Sequence, residues 1–194
     1  VDNLFIIGTS SGSNLLTMKF LEKAIEIKED FYDAHLQLGK LYEELLPIGA
    51  AENEYKRAAE IKEDDAEAHY HLGNLYADMK RYAEAEKEYK RAIEIKEDFA
   101  GAHDGLGWLY KDIEEFERAE KEFKRAIEIE EDFTGAHDGL LLLYEDMGRF
   151  EEAEKEYHEA LKHHSILAIW RSIFPDKNMK RYMKLKKNIK GQLR

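Results

Sequence analysis

The sequence predicts an all-α protein built as a row of paired, antiparallel helices. Three observations carry this. One block recurs four times at a fixed period, and apolar residues return at helical spacing inside each block. The 194 residues contain only two prolines, Pro47 and Pro175, so long helical stretches are unobstructed.

The repetition is clearest at Ala34-His35, Ala68-His69, Ala102-His103 and Ala136-His137, spaced by 34 each time. Each His opens the same frame. His35-x2-Leu38-Gly39-x2-Tyr42 is followed by the frames of His69 (Leu72, Gly73, Tyr76) and His103 (Leu106, Gly107, Tyr110). The fourth frame, from His137, has Leu140, Leu141 and Tyr144, with Leu where glycine stood. A second half follows each frame: Ala51-x3-Tyr55-x2-Ala58, then Ala85, Tyr89 and Ala92, then Ala119, Phe123 and Ala126, then Ala153, Tyr157 and Ala160. The glycines and alanines allow two helices to approach closely, and the aromatic residues fill the wider gaps. Glu-Asp pairs at 29–30, 63–64, 97–98 and 131–132 punctuate the blocks. Their aspartates, Asp30, Asp64, Asp98 and Asp132, are expected as N-caps of the following helices. Pro47 and Gly148 mark turns inside the first and fourth blocks.

The frame resembles the tetratricopeptide repeat, whose unit of about 34 residues places this small/large pattern on two helices. The resemblance covers about residues 32–165. The family's usual Trp is replaced by the repeated His, and its usual late Pro by Glu63, Glu97 or Glu131. It implies a right-handed α-solenoid with a C-terminal capping helix, about ten helices in all. The organisation expected is an irregular segment over 1–14 and the second helix of a partial repeat over 15–31, its first helix missing or degraded. Four repeats follow over 32–65, 66–99, 100–133 and 134–167, then a basic capping region over 168–194.

Composition narrows the function. The net charge is −12, but residues 161–194 carry ten Lys/Arg against Asp176 alone, leaving −21 on residues 1–160. No run approaches the roughly 20 apolar residues of a membrane-spanning helix. Leu4-Phe5-Ile6-Ile7 is too short for a secretory signal. The absence of cysteine excludes disulfides and thiolate metal sites, fits a reducing compartment, and points to a cytoplasmic location. Gly8-Thr-Ser-Ser-Gly12-Ser lacks the ending of a phosphate loop. Histidines on neighbouring first helices stand roughly 8–10 Å apart, too far to share one ion, so the His column reads as packing. Every acid near these histidines is copied by the repeat, whereas catalysis calls for a unique cluster. No enzyme activity, cofactor or metal site is expected.

By resemblance, the first helices line a concave groove that takes a peptide. The wall positions include Leu36, Lys40, Tyr70, Asn74, Asp78, Asp104, Trp108, Asp112, Asp138, Leu142 and Asp146. An apolar track of Leu36, Tyr70, Trp108 and Leu142 would then run through an acidic wall. The Lys/Arg/Asn clamp by which some family members hold acidic chaperone tails is not matched beyond Lys40 and Asn74. The partner expected is therefore a basic, partly apolar protein or peptide. Two rival readings use the basic tail: head-to-tail self-assembly on the acidic body of a neighbour, and, less favoured by the charge of the body, contact with membrane or nucleic acid.

Overall fold

A computed structural model describes residues 10–45 and 49–162. The described residues form helices and turns only: α1 (Ser10–Ile27), α2 (Tyr32–Leu45), α3 (Gly49–Ile61), α4 (Ala66–Asp78), α5 (Tyr82–Ile95), α6 (Ala100–Asp112), α7 (Phe116–Ile129), α8 (Thr134–Asp146) and α9 (Phe150–Lys162). The described residues are thus all-α, a succession of packed helix pairs. The expected turn at Pro47 and the expected basic cap over 168–194 lie outside the described residues.

Residues 1–97 and 98–194 form two compact units. In the first, α2 packs on α3 and α4 on α5, with α1 against α2 and α3 against α4. In the second, α6 packs on α7 and α8 on α9, while α7 and α6 both meet α8. The repeated alanines of the second helices are fully buried, and so are Tyr55 and Phe123. An ideal Cβ on Gly107 would meet the Phe123 ring at 2.5 Å, so a side chain in the third repeat would have to displace that ring. Phe123 is held from the other side by Gly139 on α8, where a Cβ would stand 2.3 Å from the ring.

The turns inside the α4–α5, α6–α7 and α8–α9 pairs are equally regular. Lys80, Glu114 and Gly148 follow the C-termini of α4, α6 and α8 with φ of 59°, 62° and 71°. The next amide then reaches back to the last tyrosine of the helix: Arg81 N–H to Tyr76 O at 2.8 Å, Glu115 to Tyr110 at 2.8 Å, and Arg149 to Tyr144 at 2.7 Å. This left-handed closure satisfies carbonyls the helix leaves open. Beside it, Glu52 gathers Lys56 (2.7 Å), Arg81 (2.9 Å) and the Tyr76 hydroxyl (3.2 Å), tying α3 to the end of α4. Glu120 repeats the arrangement with Lys124 (2.6 Å), Arg149 (2.6 Å) and Tyr144 (2.9 Å), tying α7 to the end of α8.

Two local expectations are corrected. The Glu-Asp pairs do form the turns between repeats, but the helices begin one residue later than expected. Asp65 is the N-cap of α4, its carboxylate accepting from Glu67 N–H at 2.9 Å, while Phe99 and Phe133 cap α6 and α8 without a side-chain bond. An apolar residue that docks the chain here outweighs the preference for a capping carboxylate. Helix α1 begins at Ser10, inside the segment expected to be irregular. Its Gly and Ser content lowers helix propensity, a weak term that neighbouring structure overrides.

Candidate functional site

The repeated His proves to be one half of a pair. His35, His69, His103 and His137 each place Nδ1 against a glutamate of the following helix: Glu54, Glu88 and Glu122 at 2.7 Å, and Glu156 at 2.9 Å. A carboxylate only accepts, so Nδ1–H donates in each, pinning the two helices of the repeat together. In the fourth repeat Nε2 also faces an acceptor, the Glu131 carbonyl at 3.0 Å. The bond to Glu156, aided by that carbonyl and by Glu159, raises the His137 pKa against the opposing effect of burial. The column is structural, as its packing reading anticipated. Its glutamates were missed, although they recur with the same period as their partners.

The first unit uses up most of the polar groups expected on its wall. Lys40 is bonded to Glu67 at 2.6 Å. Asn74 accepts from the Tyr89 hydroxyl at 2.8 Å. Tyr70 is partly buried, its ring 5.3 Å from His71 and 6.3 Å from Tyr89. His71, not anticipated as a site residue, stacks on Tyr55 at 5.1 Å, and burial, reinforced by Lys40, pushes its pKa down to about 4. Asp78 is exposed. Leu36 departs from expectation: at 3% exposure it belongs to the core and offers no wall to a peptide. An aliphatic side chain at that point on α2 is drawn into the packing, where tyrosine or aspartate in later repeats stays partly outside.

The second unit brings its expected residues together. Asp104, Trp108 and Lys111 lie on α6, and Asp138, Leu142 and Asp146 on α8, which packs against it. The Trp108 indole N–H donates to the Asp104 carboxylate, and its ring meets Phe123 edge-on at 5.5 Å. Asp104 Oδ1 is buried and meets no donor among the described residues. The same carboxylate closes on Gly135, where a Cβ would stand 3.0 Å from Oδ2. Burial, with the Asp138 charge added and the Trp108 bond opposing, lifts the Asp104 pKa to about 7. Lys111 is paired with Asp146 at 2.8 Å and lies 6.0 Å from the Trp108 ring centre. Leu142 on α8 is half-buried and Asp112 exposed. The result is an indole and an aliphatic side chain beside two carboxylates, one of them under-supplied with donors.

No group of three or more His, Cys, Asp or Glu that could hold a metal occurs among the described residues, and no described helix is long and apolar enough to cross a membrane. Paired helices repeated at a fixed period, with side chains that bind one another rather than converge on a reacting centre, define a helical-repeat scaffold. Family models described as tetratricopeptide repeat match residues 64–132 and 136–162, and the chain belongs to that family. Its helices superpose on a crystal structure of MamA with a TM-score of 0.69 at 25% identity, covering 82% of this chain and 93% of that one. TTC0263, a thermophilic tetratricopeptide-repeat protein of Thermus thermophilus, matches with a TM-score of 0.68 at 22% identity over 79% of this chain and 84% of that one. YrrB, described as having an unusual peptide-binding site, gives 0.62 at 20% over 82% and 87%. The last two likenesses concern the fold alone. No curated protein matches the chain.

Proposed function

We propose that this chain is a non-catalytic, cytoplasmic scaffold whose first-helix faces accept a basic, partly apolar segment of a protein partner. The fold and family support a protein–protein interaction scaffold. The observation that carries the finer reading is Asp104. A carboxylate with a buried, donor-less oxygen, set against Asp138 and beside an indole, is stabilised by an arriving ammonium or guanidinium group. The indole supplies apolar and cation–π contact to the same ligand. Calorimetry with a synthetic peptide alternating Arg and Leu tests this against the same peptide with Glu for Arg. The basic peptide should bind, and Asp138→Asn and Trp108→Ala should each weaken it about tenfold, the effect of losing one good contact. Equal affinity for the acidic peptide, or full binding by Trp108→Ala, would refute the reading.

The opposite charges of residues 1–160 and 161–194 favour a second reading, in which the basic tail of one chain occupies the acidic face of another. Light scattering separates the two. A mass rising with concentration and falling with salt supports self-assembly, whereas a constant mass equal to that of one chain leaves the face open to other partners.

A further inference from the structure

On α6 and α8 one order of residue types recurs at a spacing of four: Asp104, Trp108, Asp112 on the first and Asp138, Leu142, Asp146 on the second. Residues four apart form a ridge along a helix, so each helix carries an acid–apolar–acid ridge. The two ridges lie side by side. Helix α6 meets α8 directly, with Gly135 of α8 under the Asp104 carboxylate. Helix α7 returns the chain between them, so α6 and α8 run in the same direction. Contacts at both ends fix the register. The Asp138 charge acts on Asp104 at one end. At the other, Lys111, next to Asp112 in the chain, bonds Asp146 at 2.8 Å. The matching ridges of the first unit read Leu36, Lys40, Glu44 and Tyr70, Asn74, Asp78. Their middle residues are polar and already bonded, Lys40 to Glu67 and Asn74 to Tyr89, so the acid–apolar–acid order belongs to the second unit.

The dimensions select the ligand. At about 1.5 Å per residue, the acidic rungs stand about 12 Å apart along the helices, with the apolar rung about 6 Å from each. An extended chain advances about 3.3 Å per residue and turns every second side chain to the same side. Its residues i, i+2 and i+4 therefore fall at about 0, 6.6 and 13 Å, in step with the three rungs. A helix laid on the seam would need a broad apolar stripe, which one apolar rung between two acidic ones does not provide. The chain itself shows which charge suits the acidic rungs. Lys111 holds its ammonium against Asp146 and 6.0 Å from the Trp108 ring centre, within reach of a carboxylate and the indole together. Asp112, in the same rung, is exposed and has no ion pair among the described residues.

We propose that the α6–α8 seam binds an extended basic–x–apolar–x–basic segment of a partner protein. Its two cationic side chains meet the Asp104/Asp138 and Asp112/Asp146 rungs, and its apolar side chain lies on Trp108 and Leu142. The inference rests on the reading given above and adds the spacing that the partner must carry.

The test uses the full chain and two labelled peptides of one composition between identical Gly-Ser flanks, Arg-Ser-Leu-Ser-Arg and Leu-Ser-Arg-Arg-Ser, so that charge and apolar content are equal. By fluorescence anisotropy the first should bind about tenfold tighter, because the second leaves one cation out of register and loses a charge-assisted contact. Asp112→Asn, at an exposed position, should weaken the first peptide about tenfold and leave the second almost unchanged. Equal binding of the two peptides, or a first peptide indifferent to Asp112→Asn, overturns the proposed spacing while the general preference for basic segments stands. Tighter binding by a helix-stapled peptide with Arg, Leu and Arg on one ridge overturns the extended form and with it the proposal. Binding by neither peptide overturns it too, and the alternating Arg-Leu peptide then shows whether the general reading falls with it.

Discussion

Replacing Asp104 with asparagine should make the protein more stable and a poorer binder of cations. The side chain keeps its shape and still accepts from the Trp108 indole, but no longer carries a charge beside Asp138. The ordinary carboxyl pKa of 3.8 is raised to about 7 in the folded protein. Between these values the unfolded chain gives up its proton while the folded one retains it, so stability falls as pH rises from about 4 to 7. At about 1.4 kcal/mol per pKa unit, the ionised wild type above pH 7 is destabilised by on the order of 4 kcal/mol relative to its acid form. Asp104→Asn escapes that loss. Urea unfolding from pH 4 to pH 8.5 should show the two proteins nearly equal at pH 4, diverging through pH 7, and separated by a constant amount above it. A difference independent of pH, or a less stable variant at pH 8, would refute the argument from burial and from Asp138. The same charge that weakens the fold is the one a basic ligand would meet, so binding of such a ligand near pH 7 should release a proton.

Three further outcomes follow from the geometry. Glu114→Gly should raise stability by about 0.5–1 kcal/mol in thermal unfolding, because Glu114 holds a φ of 62° at the place where the fourth repeat uses Gly148. Glu120→Gln should cost about 1 kcal/mol near neutral pH after allowing for solvent screening. Burial opposes ionisation of Glu120, but Lys124, Arg149 and Tyr144 hold its carboxyl at about 2, so the wild-type advantage should fade as pH falls from about 4.5 towards 2 in acid titration. Glu156→Gln should remove the main cause of the raised His137 pKa. In the wild type that contribution is complete below the ordinary histidine pKa and is lost as pH rises through the raised one, so the variant should be less stable at pH 6 and closer to wild type at pH 9.

Much of this architecture is legible in the sequence because a fixed repeat period leaves few solutions. The alternation of His-Leu-Gly-Tyr frames with Ala-Tyr-Ala frames specifies helix pairs, and the Glu-Asp pairs mark where one repeat gives way to the next. The candidate site is less legible, because identical residue types meet different surroundings. Asp104 and Asp112 lie on one helix, yet the first is half-buried within reach of the Asp138 charge and the second is exposed. Lys40 reads as a wall residue of the groove, and Glu67, on another helix, is found bonded to it. Leu36 reads as a peptide anchor by its position and is core by its packing. Such outcomes depend on what the next helix presents, which a per-position reading of one repeat does not contain. The glutamates that partner each His carried a readable signal, since both members of the pair repeat together.

The aromatic residue wedged against glycine in the second helices of the first three repeats has a reach beyond the core. In the first two repeats it is tyrosine, and its hydroxyl passes through to the other side to hold Glu43 at 2.6 Å and Asn74 at 2.8 Å. In the third it is Phe123, which has no hydroxyl to offer, and Trp108 settles across its edge with the indole N–H turned to Asp104. Where the hydroxyl is present it ties down a polar side chain of the first helix, and where it is absent an indole packs against the ring instead. A family that drifts between tyrosine and phenylalanine at this position can vary what it presents to partners while every helix stays in place.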